Sequence, residues 1–214
     1  MRTLLFKESP LLVLYVTLIF GVVDQLMHNR RRYHAGVAFT LYIGTLGALM
    51  YFYRIPERVD RYPEEFIVAP SDGVVKSVLR VDVDTVHIAI YLNIFDAHIQ
   101  WCPLAGQVVS QRRKAGRFHP AYLLEKSRYN ERVETTIYNP NLGDTVKVVQ
   151  IAGQVARRIS TFVSKGTRVA RGDLLGLIKL SSRVDLFLPS DRVKVFVQEG
   201  DRLQGNKTLI GEIL

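Results

Sequence analysis

Hydrophobic and polar positions divide the chain into two unlike parts. Residues 10–23 (PLLVLYVTLIFGVV) form one apolar run, ended by Asp24 and Gln25, and residues 35–53 (AGVAFTLYIGTLGALMYFY) form a second run of 19 residues without a charge. Between them, His28–His34 carries Arg30, Arg31 and Arg32. Three arginines would cost on the order of 7–10 kcal/mol at a bilayer centre, so this linker belongs in water or among headgroups. The pattern predicts a helical hairpin, in or on a membrane, over residues 1–54. The second run is long enough to span and the first is marginal. Arginines stand on both sides of the second run (Arg30–Arg32, then Arg54, Arg58 and Arg61), so charge does not fix its orientation.

A charged, proline-punctuated linker, Arg54–Pro63, separates the hairpin from a second domain over residues 55–214. From Phe66 onward the period changes to short strands about ten residues apart: IVAP, GVVKSVLRV, TVHIAIYL, AHIQWCP, GQVVSQRRK, RVETTIYN, DTVKVVQIAG, VARRIST, LLGLIKL, VDLFLP and VKVFV. Turn signals at Ser71-Asp72-Gly73, Leu142-Gly143-Asp144 and Arg171-Gly172-Asp173 divide them, and one helix is predicted over Pro120–Lys126. Such spacing reads as an all-β barrel or sandwich. The turn Val169-Ala-Arg-Gly-Asp173 recurs as Val197-Gln-Glu-Gly-Asp201. It is similar to turns of the lipoyl-type sandwich, a barrel-sandwich hybrid. No lysine sits at a carrier-like tip, so that resemblance is to fold alone.

The 214 residues carry a formal charge of +9, and mean hydropathy is slightly positive. This combination fits an anionic membrane surface better than a soluble nucleic-acid binder, and no nucleic-acid partner is expected. The single cysteine, Cys102, excludes an internal disulfide and a CxxC metal site, and reads as a small buried hydrophobe. Dinucleotide, P-loop, HExxH and nucleophile-elbow motifs are absent, and no metal is expected.

Three positions carry chemistry. Asp72 lies in the turn of Val68-Ala-Pro-Ser-Asp-Gly73, and by itself an Asp-Gly pair marks a hairpin. His98 follows an apolar strand in Asn93-Ile-Phe-Asp-Ala-His98, and alone reads as a structural histidine. Ser181 and Ser182 interrupt Gly176-Leu-Ile-Lys-Leu-Ser-Ser-Arg-Val-Asp-Leu-Phe-Leu-Pro189, where Val184, Leu186 and Leu188 alternate with Arg183, Asp185 and Phe187. Alone, a serine pair there reads as a strand edge or bulge.

These segments, with Tyr53-Arg-Ile-Pro-Glu-Arg58, Asn130-Glu-Arg132 and Gln150-Ile-Ala-Gly-Gln-Val-Ala-Arg-Arg158, stand in an order that resembles the pyruvoyl-dependent phosphatidylserine decarboxylases, in their short form, over about residues 50–214. The resemblance implies a proenzyme that cuts itself between Ser181 and Ser182 into residues 1–181 and 182–214, which stay associated. Ser182 matches the nucleophile, His98 the base and Asp72 the carboxylate that orients the base. Ser182 would become a covalent pyruvoyl group, whose carbonyl forms a Schiff base with the headgroup amine and draws off electrons as carbon dioxide leaves, turning phosphatidylserine into phosphatidylethanolamine. A serine needs such a base, because its hydroxyl is a poor nucleophile at neutral pH.

The chain departs from the family pattern at Ser181, where glycine is usual. A Cβ there costs roughly 1–2 kcal/mol in strained backbone, which would slow cleavage about tenfold or more without abolishing it, and cleavage after Leu180, using Ser181, is the lesser alternative. Arg112, Arg113, Lys114, Arg117, Arg157 and Arg158 could hold the lipid phosphate, and each also reads as a solvated charged face. The expected partner is a phospholipid in an anionic membrane, with the catalytic domain on the cytoplasmic side of the cell membrane. Self-association stays open. The rival readings are a member with impaired processing and a non-enzymatic membrane-anchored adaptor.

Overall fold

The computed structural model describes residues 2–3, 10–27, 32–58, 61–154, 158–179 and 182–214. It forms two compact units, Met1–Glu57 and Arg58–Leu214. The first holds strand β1 (Arg2–Thr3), helix α1 (Pro10–Met27), helix α2 (Arg32–Phe52) and strand β2 (Arg54–Ile55). β1 pairs antiparallel with β2. The helices touch through Phe20 and Tyr42, whose ring centroids are 5.3 Å apart.

The outward side chains of this unit are apolar: Leu14, Leu18, Ile19 and Val22 on α1, and Val37, Phe39, Leu41 and Ile43 on α2, are all exposed. Among the described residues, however, no helix is long and apolar enough to cross a membrane. The expected hairpin, in or on a membrane, is thus present as two helices, and its spanning is not found among the described residues.

The second unit is mainly β. Its elements are β3 (Phe66–Val68), β4 (Gly73–Arg80), β5 (Thr85–Leu92), β6 (Ile99–Trp101), β7 (Gly106–Lys114), helix α3 (Leu124–Ser127), β8 (Arg132–Asn139) and β9 (Asp144–Ile151). There follow β10 (Ile159–Thr161), β11 (Arg168–Val169), β12 (Leu174–Ile178), β13 (Ser182–Pro189), β14 (Val193–Val195), β15 (Arg202–Leu203) and β16 (Leu209–Ile213). Eight strands form one antiparallel sheet in the order β11-β7-β8-β9-β13-β5-β4-β15, curled as a half-barrel. Two three-stranded sheets, β10-β12-β6 and β14-β16-β3, complete the unit.

One hydrophobic cluster joins the three sheets. Val184, Leu186 and Leu188 of β13 meet Val75, Ile88, Ile90 and Val148 from the large sheet, with Ile159 and Ile178 from one small sheet and Ile67 and Ile210 from the other. Alternation along β13 sends its even positions into this core, as the pleat requires. Between β7 and β8 the predicted helix over Pro120–Lys126 shortens to the single turn α3. Its first residues go into a turn closed by the Leu123 N–H on the Pro120 carbonyl, at 3.1 Å.

Candidate active site

Ser182 is the first residue of β13 and pairs with Leu92, the last residue of β5. Its side chain shares the core-facing side of the strand with Val184 and is fully buried. Its Oγ has no hydrogen-bond partner among the described residues. A buried hydroxyl left without a partner costs stability, and Ser71 and Ser77 share this state among the described residues.

The chain leaving Leu92 turns back at once. Asn93 N–H donates to Asp96 Oδ2 at 2.8 Å, and Phe95 N–H donates to Asn93 Oδ1 at 2.8 Å. This turn delivers His98, fully buried, at the entrance of β6. Ile178 at the end of β12 donates its N–H to the His98 carbonyl at 3.2 Å. Residue 182 thus pairs at the start of the segment from Leu92 to His98, and residue 178 bonds at its end.

The imidazole is fixed by its backbone surroundings. His98 Nδ1 lies 2.9 Å from the Asp96 carbonyl oxygen. A carbonyl only accepts, so Nδ1 carries the proton, and in the neutral ring Nε2 holds the lone pair. Below the ring, the His98 carbonyl also accepts from Gln100 Nε2 at 2.7 Å, and Gln100 Oε1 accepts from Gln150 Nε2 at 2.7 Å.

Asp72 sits in the turn between β3 and β4, where Gly73 has φ of +140° and a Cβ would come within 2.4 Å of the Tyr91 carbonyl oxygen. Only glycine fits there. The Asp72 carboxylate accepts a two-pronged bond from Arg58, at 2.5 and 2.9 Å, together with the N–H groups of Gly205 at 2.8 Å and Ala97 at 3.2 Å. Its link to the base therefore runs through the backbone: it holds Ala97, and Ala97 precedes His98. The Arg58 guanidinium also lies over the Trp101 ring, 5.0 Å from its centroid.

Arg58 was not singled out from the sequence. Its only signal is its place at the end of the Tyr53–Arg58 landmark, because its partners lie 14 and 147 residues away. Cys102 is buried close by in sequence. Burial first, and the charge of Asp173 second, push its thiol up to about 12, which leaves it inert as a nucleophile.

The proposed phosphate-binding cations lie apart from this cluster. Arg112, Arg113 and Lys114 are on β7, separated from β13 by β8 and β9, three strand spacings or about 14 Å. Lys114 pairs with Glu134 at 2.9 Å, and Arg113 pairs with Glu131 at 2.9 Å. Burial alone would raise the Glu134 pKa, but hydrogen bonds and charge from Lys114 and Arg132 outweigh it and hold the carboxyl below the usual range. Arg117 is exposed, in a bridge with Asn130. Among the described members of the set, Arg158 is tied to the segment that leads to Ser182, since its carbonyl accepts from Lys179 N–H at 3.4 Å. Arg157 and Ser181 lie outside the described residues.

Residues 46–211 match the family model described as phosphatidylserine decarboxylase. A protein of Carboxydothermus hydrogenoformans called phosphatidylserine decarboxylase proenzyme is 41% identical over 171 residues, 77% of this chain and 79% of that one. Proteins of the same name from Mycolicibacterium smegmatis and Streptomyces coelicolor are 36% and 40% identical, over 78% and 76% of this chain and 75% and 72% of theirs.

Proposed function

The chain belongs to the phosphatidylserine decarboxylase family, and on that premise we propose that Ser182, His98 and Asp72 make it a self-processing decarboxylase of phosphatidylserine. The observation that carries this reading is a fully buried serine whose Oγ has no partner among the described residues, at the head of a central strand paired with the strand whose following turn leads to His98.

The first steps use only groups of this chain. His98 Nε2 takes the Ser182 hydroxyl proton, and Oγ attacks the carbonyl carbon of Ser181. The C–N bond to Ser182 breaks, its nitrogen takes a proton, and an ester replaces the peptide. Removal of the Ser182 α-proton then breaks the Cβ–O bond, releasing residues 1–181 with a free carboxylate. Addition of water and loss of ammonia leave a keto group at position 182. A positioned base contributes about 10²–10⁴-fold to a proton transfer of this kind. Asp72 contributes by holding the Ala97 backbone, and through it the ring, in place.

The site suits a terminal keto group. Residue 182 is buried, and its side-chain atom has no competing partner among the described residues. The keto group supplies the electron sink for the pair left when carbon dioxide departs. His98 Nε2 then delivers the proton that replaces the carboxylate on the headgroup carbon. The exposed apolar faces of α1 and α2 hold the protein at the membrane, and the charge of +9 favours the anionic cytoplasmic leaflet.

The test is Ser182→Ala. This variant stays a single chain and releases no carbon dioxide from vesicles containing phosphatidylserine. A variant still cut at the same bond would overturn the assignment of the nucleophile.

A further inference from the structure

Arg183, the residue directly after Ser182, has no part in the chemistry above, yet it is buried to 3% exposure together with Asp185 at 4%. Both point to the face of the large sheet opposite Ser182, where alternation alone would put solvent-facing groups. A buried guanidinium is tolerated only when it is paired and its donors are used. Here the two terminal nitrogens hydrogen-bond to two different elements, while Nε faces Asp185 as an ion pair only. Arg183 Nε and Nη2 lie 2.8 and 2.9 Å from the two oxygens of Asp185. Arg183 Nη1 donates to Ser127 Oγ at 2.7 Å and to the Leu124 carbonyl at 3.1 Å, both on α3. Ser127 is itself fully buried.

The pairing of β13 explains what such an anchor could do. Against β5 the ladder begins at Ser182, opposite Leu92. Against β9 it begins one residue later, with Arg183 opposite Ile151. Once the chain is cut before Ser182, that residue becomes a free terminus held by a strand on one side only. Chain ends fray unless something ties them down. Arg183 is the first residue of the new chain gripped from both sides, and its side chain is bolted to α3 as well.

We propose that Arg183 is a positioning residue: its fork to Asp185 and α3 holds residue 182 in register with His98 during self-cleavage and afterwards, when residue 182 carries the reactive carbonyl. The inference rests on Ser182 being the processed residue. A fork that only fastened α3 to the sheet would affect stability. One that positions residue 182 affects the rate at each carbonyl.

The test compares Arg183→Lys, which keeps the charge but not the fork, and Ser127→Ala, which removes one bond, with the unaltered protein. Reactive carbonyls are counted with a hydrazine reagent, and turnover of phosphatidylserine in mixed vesicles is expressed per carbonyl. The expected result for Arg183→Lys is slower self-cleavage and a kcat per carbonyl lower by about ten- to a hundredfold, the scale of a misplacement near 1 Å, with KM within about twofold. Ser127→Ala shows a smaller drop of the same kind, and decides the matter if Arg183→Lys does not fold. Unchanged kcat per carbonyl in folded variants, even with a lower Tm, overturns the inference. If the unaltered protein is not cut before Ser182, the functional reading fails first, and that result is read from the unaltered chain alone.

Discussion

Asp72 shows how much of the site depends on one buried carboxylate and its partner. Its side chain is about 10% exposed and that of Arg58 about 14%, and the two share a bidentate pair. Removing one member of such a pair leaves the other desolvated and unpaired. Arg58→Ala is therefore expected to lower unfolding stability by about 3 kcal/mol and to slow self-cleavage, since Asp72 also fixes Ala97 beside His98. Denaturant melts and a cleavage time course check this, and wild-type values in both would refute it. Asp72, His98 and Ser182 were singled out through the family resemblance, since each alone reads as a structural residue. Arg58 was not, because its contacts with Asp72 and Gly205 join distant parts of the chain. The resemblance implied that Asp72 orients the base, and its oxygens meet Arg58 and two backbone N–H groups, one of them that of Ala97 beside His98.

At the scale of elements, alternation along β13 announced the core face correctly: Val184, Leu186 and Leu188 are buried. It gave no hint that Arg183 and Asp185 on the other face are buried too, because what covers them is α3, more than 50 residues earlier in the chain. The neighbouring strands carry a cross-strand charge cluster, in which Glu134 of β8 accepts from Lys114 of β7 and from Arg132. Its carboxyl is held below the ordinary value of 4.5. A depressed folded-state pKa stabilises the fold above the unfolded value and loses that contribution as pH falls through the folded value. The stability difference between the protein and Glu134→Gln should thus be full near neutral pH and shrink as pH drops below 4.5. Thermal melts from pH 3 to 7, about the range that brackets this titration, read the difference. A gap that widens toward acid would contradict the assignment.

Over the whole molecule, the sequence distinguished a helical part from a β part because their hydrophobic periods differ, and both are present. Whether the helices span a membrane was left open by the sequence, and among the described residues no helix is long and apolar enough to cross one. The exposed Leu18 and Ile43 make the remaining role of the helices testable. Leu18→Glu with Ile43→Glu should weaken binding to anionic phospholipid vesicles by at least about tenfold, from two side chains worth 1.5–3 kcal/mol each when buried. Self-cleavage should be unchanged, and undiminished vesicle binding would sink the claim. In the β unit, β13 lies between β9 and β5 in the middle of the large sheet, so a cut before Ser182 severs the chain without releasing either piece.

The central claim is that this chain builds its reactive group by breaking itself before Ser182, and intact mass of the purified protein under denaturing conditions tests it most directly. The expected spectrum has two chains, residues 1–181 and a 33-residue fragment from Ser182 to Leu214 with a keto group in place of its amino terminus. The same sample elutes as one species without denaturant. A single 214-residue mass in a preparation that decarboxylates phosphatidylserine would contradict it.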